Sequence, residues 1–87
     1  MNKEQKETIT NRIKYLDSRM YLLLKNLKLQ TNDYYNGRID SMIYERVWLD
    51  KFFCEKFIPF NEELESMLSY YLGEALFDLY FQRRFEE

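Results

Sequence analysis

The sequence predicts an all-α fold, a three-helix antiparallel bundle, in one helical domain covering residues 1–87, with a dimer as an open alternative. Three observations predict it: few turn-forming residues, helical spacing of the apolar residues, and two breaks that divide the chain into three parts. Of the 87 residues only two are Gly and one is Pro, about a quarter of average usage. A sandwich or barrel needs many tight turns, so the composition excludes an all-β fold.

The first helix is predicted at about residues 3–30. Asn2 followed three residues later by Gln5 is typical of a helix N-terminus, where each side chain can bond the other residue's backbone. Apolar residues then recur at spacings of three and four, which places them on one narrow seam. The seam comprises Ile9, Ile13, Leu16, Met20, Leu23 and Leu27.

The second helix is predicted at about residues 38–57. A reversal is expected before it, because Asn36 and Gly37 tolerate positive φ. Pro59 is expected to end the helix, since the residue before a proline is pushed out of the α region. Its expected core face comprises Ile39, Met42, Ile43, Val47, Phe53, Cys54 and Phe57.

The third helix is predicted at about residues 61–85. Asn61 is its expected cap, and Glu62 and Glu63 fall in the first turn, where the helix dipole favours anions. The expected core face comprises Leu64, Leu68, Tyr71, Leu72, Ala75 and Leu79. A strip of small residues, Ser66, Ser69 and Gly73, would let another backbone approach closely. That backbone could belong to this chain, a second copy or another protein.

Helix 2 carries a second apolar face, formed by Tyr44, Trp48 and Phe52 at four-residue spacing. A helix that is apolar on two sides is either sandwiched between neighbours or offers one side to a partner. In the first case the stripe is buried between helices 1 and 3. In the second it anchors an interface, since Trp and Tyr are enriched in binding hot spots. The exposure of Trp48 distinguishes the two.

Two charged residues, Arg46 and Asp50, fall within the core-facing part of helix 2. They are one turn apart and able to pair, and an uncompensated charge in a dry core is costly. The sequence therefore predicts either a buried ion pair between them or a cleft that binds a polar ligand.

Charge is distributed unevenly, with a net charge of +4 in residues 1–31 and −5 in residues 61–87. The basic and acidic helices could simply lie side by side. Alternatively, the acidic residues form a surface for a basic partner; the candidates are Glu62, Glu63, Glu65, Glu74 and Asp78. A basic stripe on helix 1, comprising Lys14, Lys25 and Lys28 beside Tyr21, has too few cations to favour nucleic-acid binding on a net acidic chain.

The residues of familiar catalytic sites are scarce. The chain has no His, and its single Cys54 has no nearby partner for a disulfide or zinc site, so we expect an inert thiol and neither metal nor cofactor. Enzymatic activity is not expected; it would require a substrate-sized pocket around Arg46 and Asp50. No apolar run approaches the roughly 20 residues that span a bilayer, and no secretory signal is recognisable, so a cytoplasmic protein is expected.

The residues with AT-rich codons (Phe, Tyr, Met, Ile, Asn, Lys) outnumber Gly, Ala, Arg and Pro by 37 to 10, which is typical of a low-GC bacterium or its phage. The sequence therefore predicts a non-enzymatic protein that binds another protein. An inhibitor or adaptor acting on a host protein, for example a nuclease or defence complex, is one form. The alternative is a structural homodimer or a subunit of a larger assembly.

Overall fold

The computed structural model describes residues 2–26, 32–54 and 56–82, and all the regular structure in these ranges is helical. Helix α1 covers Lys3–Lys25, α2 covers Asp33–Phe53 and α3 covers Glu62–Leu72. A short α4, Glu74–Phe77, continues into a π-helical segment, Asp78–Gln82. The prediction of an all-helical fold is confirmed for the described residues.

Helix α1 begins where its capping pair predicts. The Asn2 side chain accepts a hydrogen bond from the Gln5 backbone N–H at 2.8 Å, and the Gln5 side chain accepts one from the Asn2 N–H at 3.1 Å. The helix ends earlier than predicted, at Lys25, because Asn26 takes an extended conformation with φ −99° and ψ 97°. Residues 27–30, the predicted last turn, lie outside the described residues.

Helix α2 begins five residues earlier than predicted, at Asp33. The Asn32 side chain caps it by accepting a hydrogen bond from the Tyr34 backbone N–H at 2.9 Å. Asn36 and Gly37, expected to form a turn, are therefore helical, and Gly37 does not have a positive φ. A local cap at Asn32 outweighed the turn preference of the Asn-Gly pair.

The same helix ends earlier than predicted, at Phe53 rather than near Phe57. Cys54 is extended, with φ −110° and ψ 132°, so it is not part of the helical core face predicted for it. The chain that follows turns inward, and the Phe57 and Phe60 rings meet edge-on at 5.6 Å between centroids. Burial of these rings explains why the helix stops well before Pro59.

The single third helix predicted from Asn61 is interrupted at Gly73. Asn61 does cap α3, accepting hydrogen bonds from the Glu63 and Leu64 backbone N–H groups. Gly73 then has φ 88° and ψ 149°, a region of backbone conformation open almost only to glycine. Apart from the glycine and its two chain neighbours, no atom of the described residues lies within 4 Å of where its Cβ would be. Backbone conformation, rather than close approach of a neighbour, therefore explains this glycine.

The break at Gly73 and the π-helical segment change which side chains enter the core. Ala75 and Leu79, predicted core residues, are exposed, whereas Phe77 and Phe81 are buried. The prediction was wrong because it assumed one continuous helix through Gly73. The helix is interrupted there, so the side chains after Gly73 face other directions.

The core lies where α1 packs against both α2 and α3. From α1 it contains Ile13, Leu16, Met20, Leu23 and Leu24; from α2, Ile39, Met42 and Ile43; and from the rest of the chain, Phe60, Leu64, Leu68, Phe77 and Phe81. Ile9 of the predicted seam is half-buried and Leu27 lies outside the described residues. Phe60, Phe77 and Phe81 form a cluster whose ring centroids are 4.9–6.0 Å apart.

Candidate functional site

Arg46 is fully buried and paired with Asp17 of α1, a partner that the sequence did not indicate. Its Nε donates to Asp17 Oδ1 at 3.1 Å, and an Nη donates to the Ile58 carbonyl oxygen at 2.6 Å. The guanidinium also lies over the Phe60 ring, 4.4 Å from its centroid. Arg46 of α2 thus forms hydrogen bonds both with α1 and with the segment that precedes α3.

Burial of this ion pair changes the pKa of the Asp17 carboxyl. Removal from water raises the pKa of Asp17, and the attraction and hydrogen bonding of Arg46 only partly oppose the rise. Asp50, one turn beyond Arg46, is also buried. Burial of both Arg46 and Asp50 favours the predicted buried ion pair over the predicted ligand-binding cleft. A direct ion pair between these two residues stays a prediction. The surroundings of Arg46 are those of a structural group.

The aromatic stripe of α2, defined by Tyr44, Trp48 and Phe52, lies on the surface. These side chains are 62%, 54% and 69% exposed. The Trp48 ring contacts the rings of Phe52 and Phe53, with centroids 5.3 and 5.1 Å apart. Because α2 packs on α1 through its opposite side, the sandwiched arrangement considered from the sequence is wrong. The stripe is the part of α2 where large aromatic side chains are exposed.

Tyr80, which lies outside α2, contacts the Tyr44 end of the aromatic stripe. The Tyr44 and Tyr80 rings lie 6.1 Å apart between centroids, and a hydrogen bond with Tyr44 raises the pKa of the Tyr80 hydroxyl. Tyr80 belongs to the π-helical segment. The stripe therefore continues from α2 onto the end of the described chain.

Gly37 and Ser41 lie on the same side of α2 as the stripe, two turns and one turn before Tyr44 respectively, and both are exposed. A Cβ added at Gly37 would have no described atom within 4 Å other than those of its chain neighbours and the nearby backbone of its own helix. Glycine within a helix costs about 1 kcal/mol relative to alanine. Nothing described in this chain packs into the space that its missing side chain leaves.

The predicted acidic residues divide into two groups. Glu65, Glu74 and Asp78 line one shallow groove together with Tyr70, which is 91% exposed. Ser66, Ser69 and Gly73, the small-residue strip, lie in the same groove. Neither Glu74 nor Asp78 has an ion-pair partner among the described residues. This groove, which we call the acidic groove, brings together three of the five predicted acidic residues.

Glu63 does not belong to that groove, because it faces α1. It accepts a hydrogen bond from the Tyr21 hydroxyl at 2.9 Å and lies 3.6 Å from Lys25 Nζ. The adjacent Glu62 is exposed at the start of α3. One expectation from the sequence is that the basic and acidic helices simply lie side by side. Glu63 makes such a contact with α1. It also occupies Lys25 of the basic stripe, while Lys28 lies outside the described residues.

Two further polar contacts join the elements near the surface. Arg12 of α1 forms a two-point ion pair with Glu45 of α2, with Nη2 and Oε1 2.9 Å apart, which raises the pKa of Arg12 and lowers that of Glu45. The Tyr71 hydroxyl donates to Asp40 Oδ1 at 3.0 Å. Burial, followed by this hydrogen bond, raises the pKa of Tyr71 to about 12.

Metal-binding and membrane-spanning features are not found within residues 2–26, 32–54 and 56–82. No three Cys, Asp or Glu side chains of these ranges gather where they could hold a metal ion. No helix there combines the length and apolar character needed to cross a bilayer. Cys54 is half-buried and lines a groove with Ile9 and Phe53.

Comparison of this chain with protein-family models, with curated proteins and with solved structures finds no match. The two surfaces must therefore be interpreted from their own chemistry.

Proposed function

We propose that this chain is a non-enzymatic protein-binding module that contacts its partners through the aromatic stripe of α2 and the acidic groove. The observation that carries the proposal is the exposure of Tyr44, Trp48 and Phe52, each more than half accessible. Three adjacent large aromatic side chains expose an apolar patch of the kind that marks interaction sites on otherwise polar surfaces. Trp and Tyr are also the residues most enriched in binding hot spots.

The acidic groove supports a second contact of different chemistry. Its three carboxylates, from Glu65, Glu74 and Asp78, line the groove together with the exposed Tyr70 ring. Such a surface is complementary to a basic protein, and charge complementarity contributes mainly to association rate and partner choice. We propose an inhibitor or adaptor of a low-GC bacterium or its phage, with the acidic groove placed against the basic, nucleic-acid-binding face of a nuclease or defence complex.

We also propose that the chain is a cytoplasmic protein. Its helices are proposed to form a three-helix antiparallel bundle. Ile9, near the start of α1, lines a groove with Phe53 at the end of α2, while Tyr15, farther along α1, lines one with Gly37 near the start of α2. These contacts support opposite directions for α1 and α2.

Affinity capture followed by measurement with purified components tests the proposed function. Wild-type protein would be used to capture proteins from an extract of a low-GC bacterium, and each captured protein would be purified and titrated against defined variants. We expect Trp48→Ser to weaken binding of the true partner at least tenfold, as hot-spot truncation does. Neutralising the groove with Glu74→Gln and Asp78→Asn should slow association, and this effect should shrink as salt rises.

Leu22→Ser is the matched control, because Leu22 is an exposed apolar residue of α1 outside both surfaces. It should leave binding unchanged. Binding that is insensitive to both Trp48→Ser and the neutralised groove would overturn the assignment of these surfaces.

A further inference from the structure

We infer that the aromatic stripe of α2 binds the same helix of a second copy of this chain, in antiparallel orientation about a two-fold axis beside Met42 and Ile43. The inference rests on the proposed function, since it names the partner of the same surface. It leaves the acidic groove of each copy open to another protein.

The first support is a match of small and large side chains along α2. Gly37 and Ser41 form an open notch on the exposed side of the helix, and Tyr44 and Trp48 project from the same side one to three turns later. In an antiparallel pair related by a two-fold axis, residues equidistant from the axis lie opposite each other. An axis beside residues 42 and 43 therefore places Trp48 of one copy over Gly37 of the other.

The same register gives two more complementary contacts between side chains. Tyr44 lies opposite Ser41, so a second large side chain meets a small one. Phe52, which is 69% exposed, lies within one residue of the position opposite Tyr34, which is 64% exposed. Aromatic rings that meet in this way stabilise an interface beyond their area alone.

Charge is also complementary in this register. Arg38 and Glu45 are seven residues apart, so they lie on the same rim of α2, and their midpoint falls close to the proposed axis. Arg38 contacts the Tyr34 ring and hydroxyl but has no carboxylate partner among the described residues. Across the two-fold axis each Arg38 approaches Glu45 of the other copy, which already holds Arg12 and can accept from a second guanidinium.

The available area fits a reversible dimer. Four side chains, those of Tyr34, Tyr44, Trp48 and Phe52, are 54–69% exposed. At roughly 200 Å² each, they would bury about 500 Å² per copy, or about 1,000 Å² in total. This lies just below the range of standard stable interfaces. We therefore expect dissociation in the micromolar range.

Sedimentation equilibrium tests the dimer and its surface together. Wild-type mass should rise from 10.9 kDa toward twice that value as the concentration increases from about 1 to 100 μM. Trp48→Ser should raise the dimer dissociation constant at least tenfold. Gly37→Gln should do the same while making the monomer more resistant to urea, because glutamine is the better helix former and the space at its Cβ is open in the monomer.

That opposite pair of effects separates loss of the interface from loss of folding. Ser18→Gln is the matched control: it places the same long side chain at an exposed position of α1 and should leave the dimer intact. Circular dichroism at low concentration would verify that each variant is folded.

Cross-linking tests the register. With Cys54→Ser as background, Tyr34→Cys and Phe52→Cys chains should cross-link to each other when mixed through a short bifunctional maleimide. Neither should cross-link efficiently to itself. Self-cross-linking of both single variants would overturn the antiparallel pairing, because it indicates a parallel one.

The result that overturns the inference is a protein that stays monomeric to 100 μM. In that case the proposed function is still supported if a purified foreign partner binds in a Trp48-dependent manner. A dimer that is unaffected by both Trp48→Ser and Gly37→Gln would overturn the inference and the assignment of this face together.

Discussion

Arg46 shows what the sequence can and cannot predict about a single residue. Its position among apolar neighbours on α2 indicates a buried charge that needs compensation. The compensating groups, Asp17 and the Ile58 carbonyl, lie 29 and 12 residues away in the chain. Spacing within one helix can suggest only local partners such as Asp50, because the register between two helices is decided by how their whole surfaces pack. The only sequence signal for this partner was that Asp17 is an acidic residue on the polar edge of α1.

Removing this guanidinium should be costly, because it leaves a mostly buried carboxylate unpaired. We expect Arg46→Met to lower the free energy of unfolding by about 3–5 kcal/mol, and the double variant Arg46→Met with Asp17→Leu to lose less than Arg46→Met alone. Urea denaturation measures both. Arg12→Met, which breaks the exposed pair with Glu45, is the control and should cost no more than about 1 kcal/mol. Equal losses for Arg46→Met and Arg12→Met would contradict the structural role of Arg46.

The helices differ in how well the sequence predicts their ends. Asn2 and Asn61 cap their helices as expected, because these hydrogen bonds connect residues two or three apart and depend only on local sequence. The breaks after α1, α2 and α3 were displaced or missed. The sequence predicts a turn at Gly37 and the interior of a helix at Gly73, yet Gly37 is helical and Gly73 takes φ 88°. The cap at Asn32 starts α2 before Gly37 and keeps that glycine within a helix, whereas the backbone conformation of Gly73 ends α3.

The two glycines should therefore respond oppositely to the same substitution. Gly73→Ala should destabilise the protein by about 1–3 kcal/mol, since alanine would be held in a conformation that suits only glycine. Gly37→Ala should stabilise the folded monomer by about 0.5–1 kcal/mol through helix propensity. Thermal and urea unfolding in dilute solution would measure both. Stabilisation by Gly73→Ala would show that α3 and α4 form one continuous helix, contrary to the structure.

For the whole molecule, the question set by the composition is where the many aromatic side chains go. The chain contains eight Tyr, seven Phe and one Trp, more than three single-sided amphipathic helices need. The sequence located a surplus on a second side of α2 but could not tell core from interface, because a helix pattern is the same whether or not a neighbour covers it. In the structure Phe57, Phe60, Phe77 and Phe81 join the core, and the stripe of α2 stays outside it. The central claim is that another protein surface covers that stripe.

Trp48 is the only tryptophan of the chain, so its fluorescence reports on the stripe alone. The most direct test is acrylamide quenching of this emission as the protein concentration increases from about 0.1 to 100 μM. We predict a red-shifted, readily quenched signal at the low end and a blue-shifted, protected signal at the high end, with Gly37→Gln remaining quenchable throughout. Unchanged quenching of the wild-type protein over this range, and also in the presence of captured partner proteins, would contradict the account.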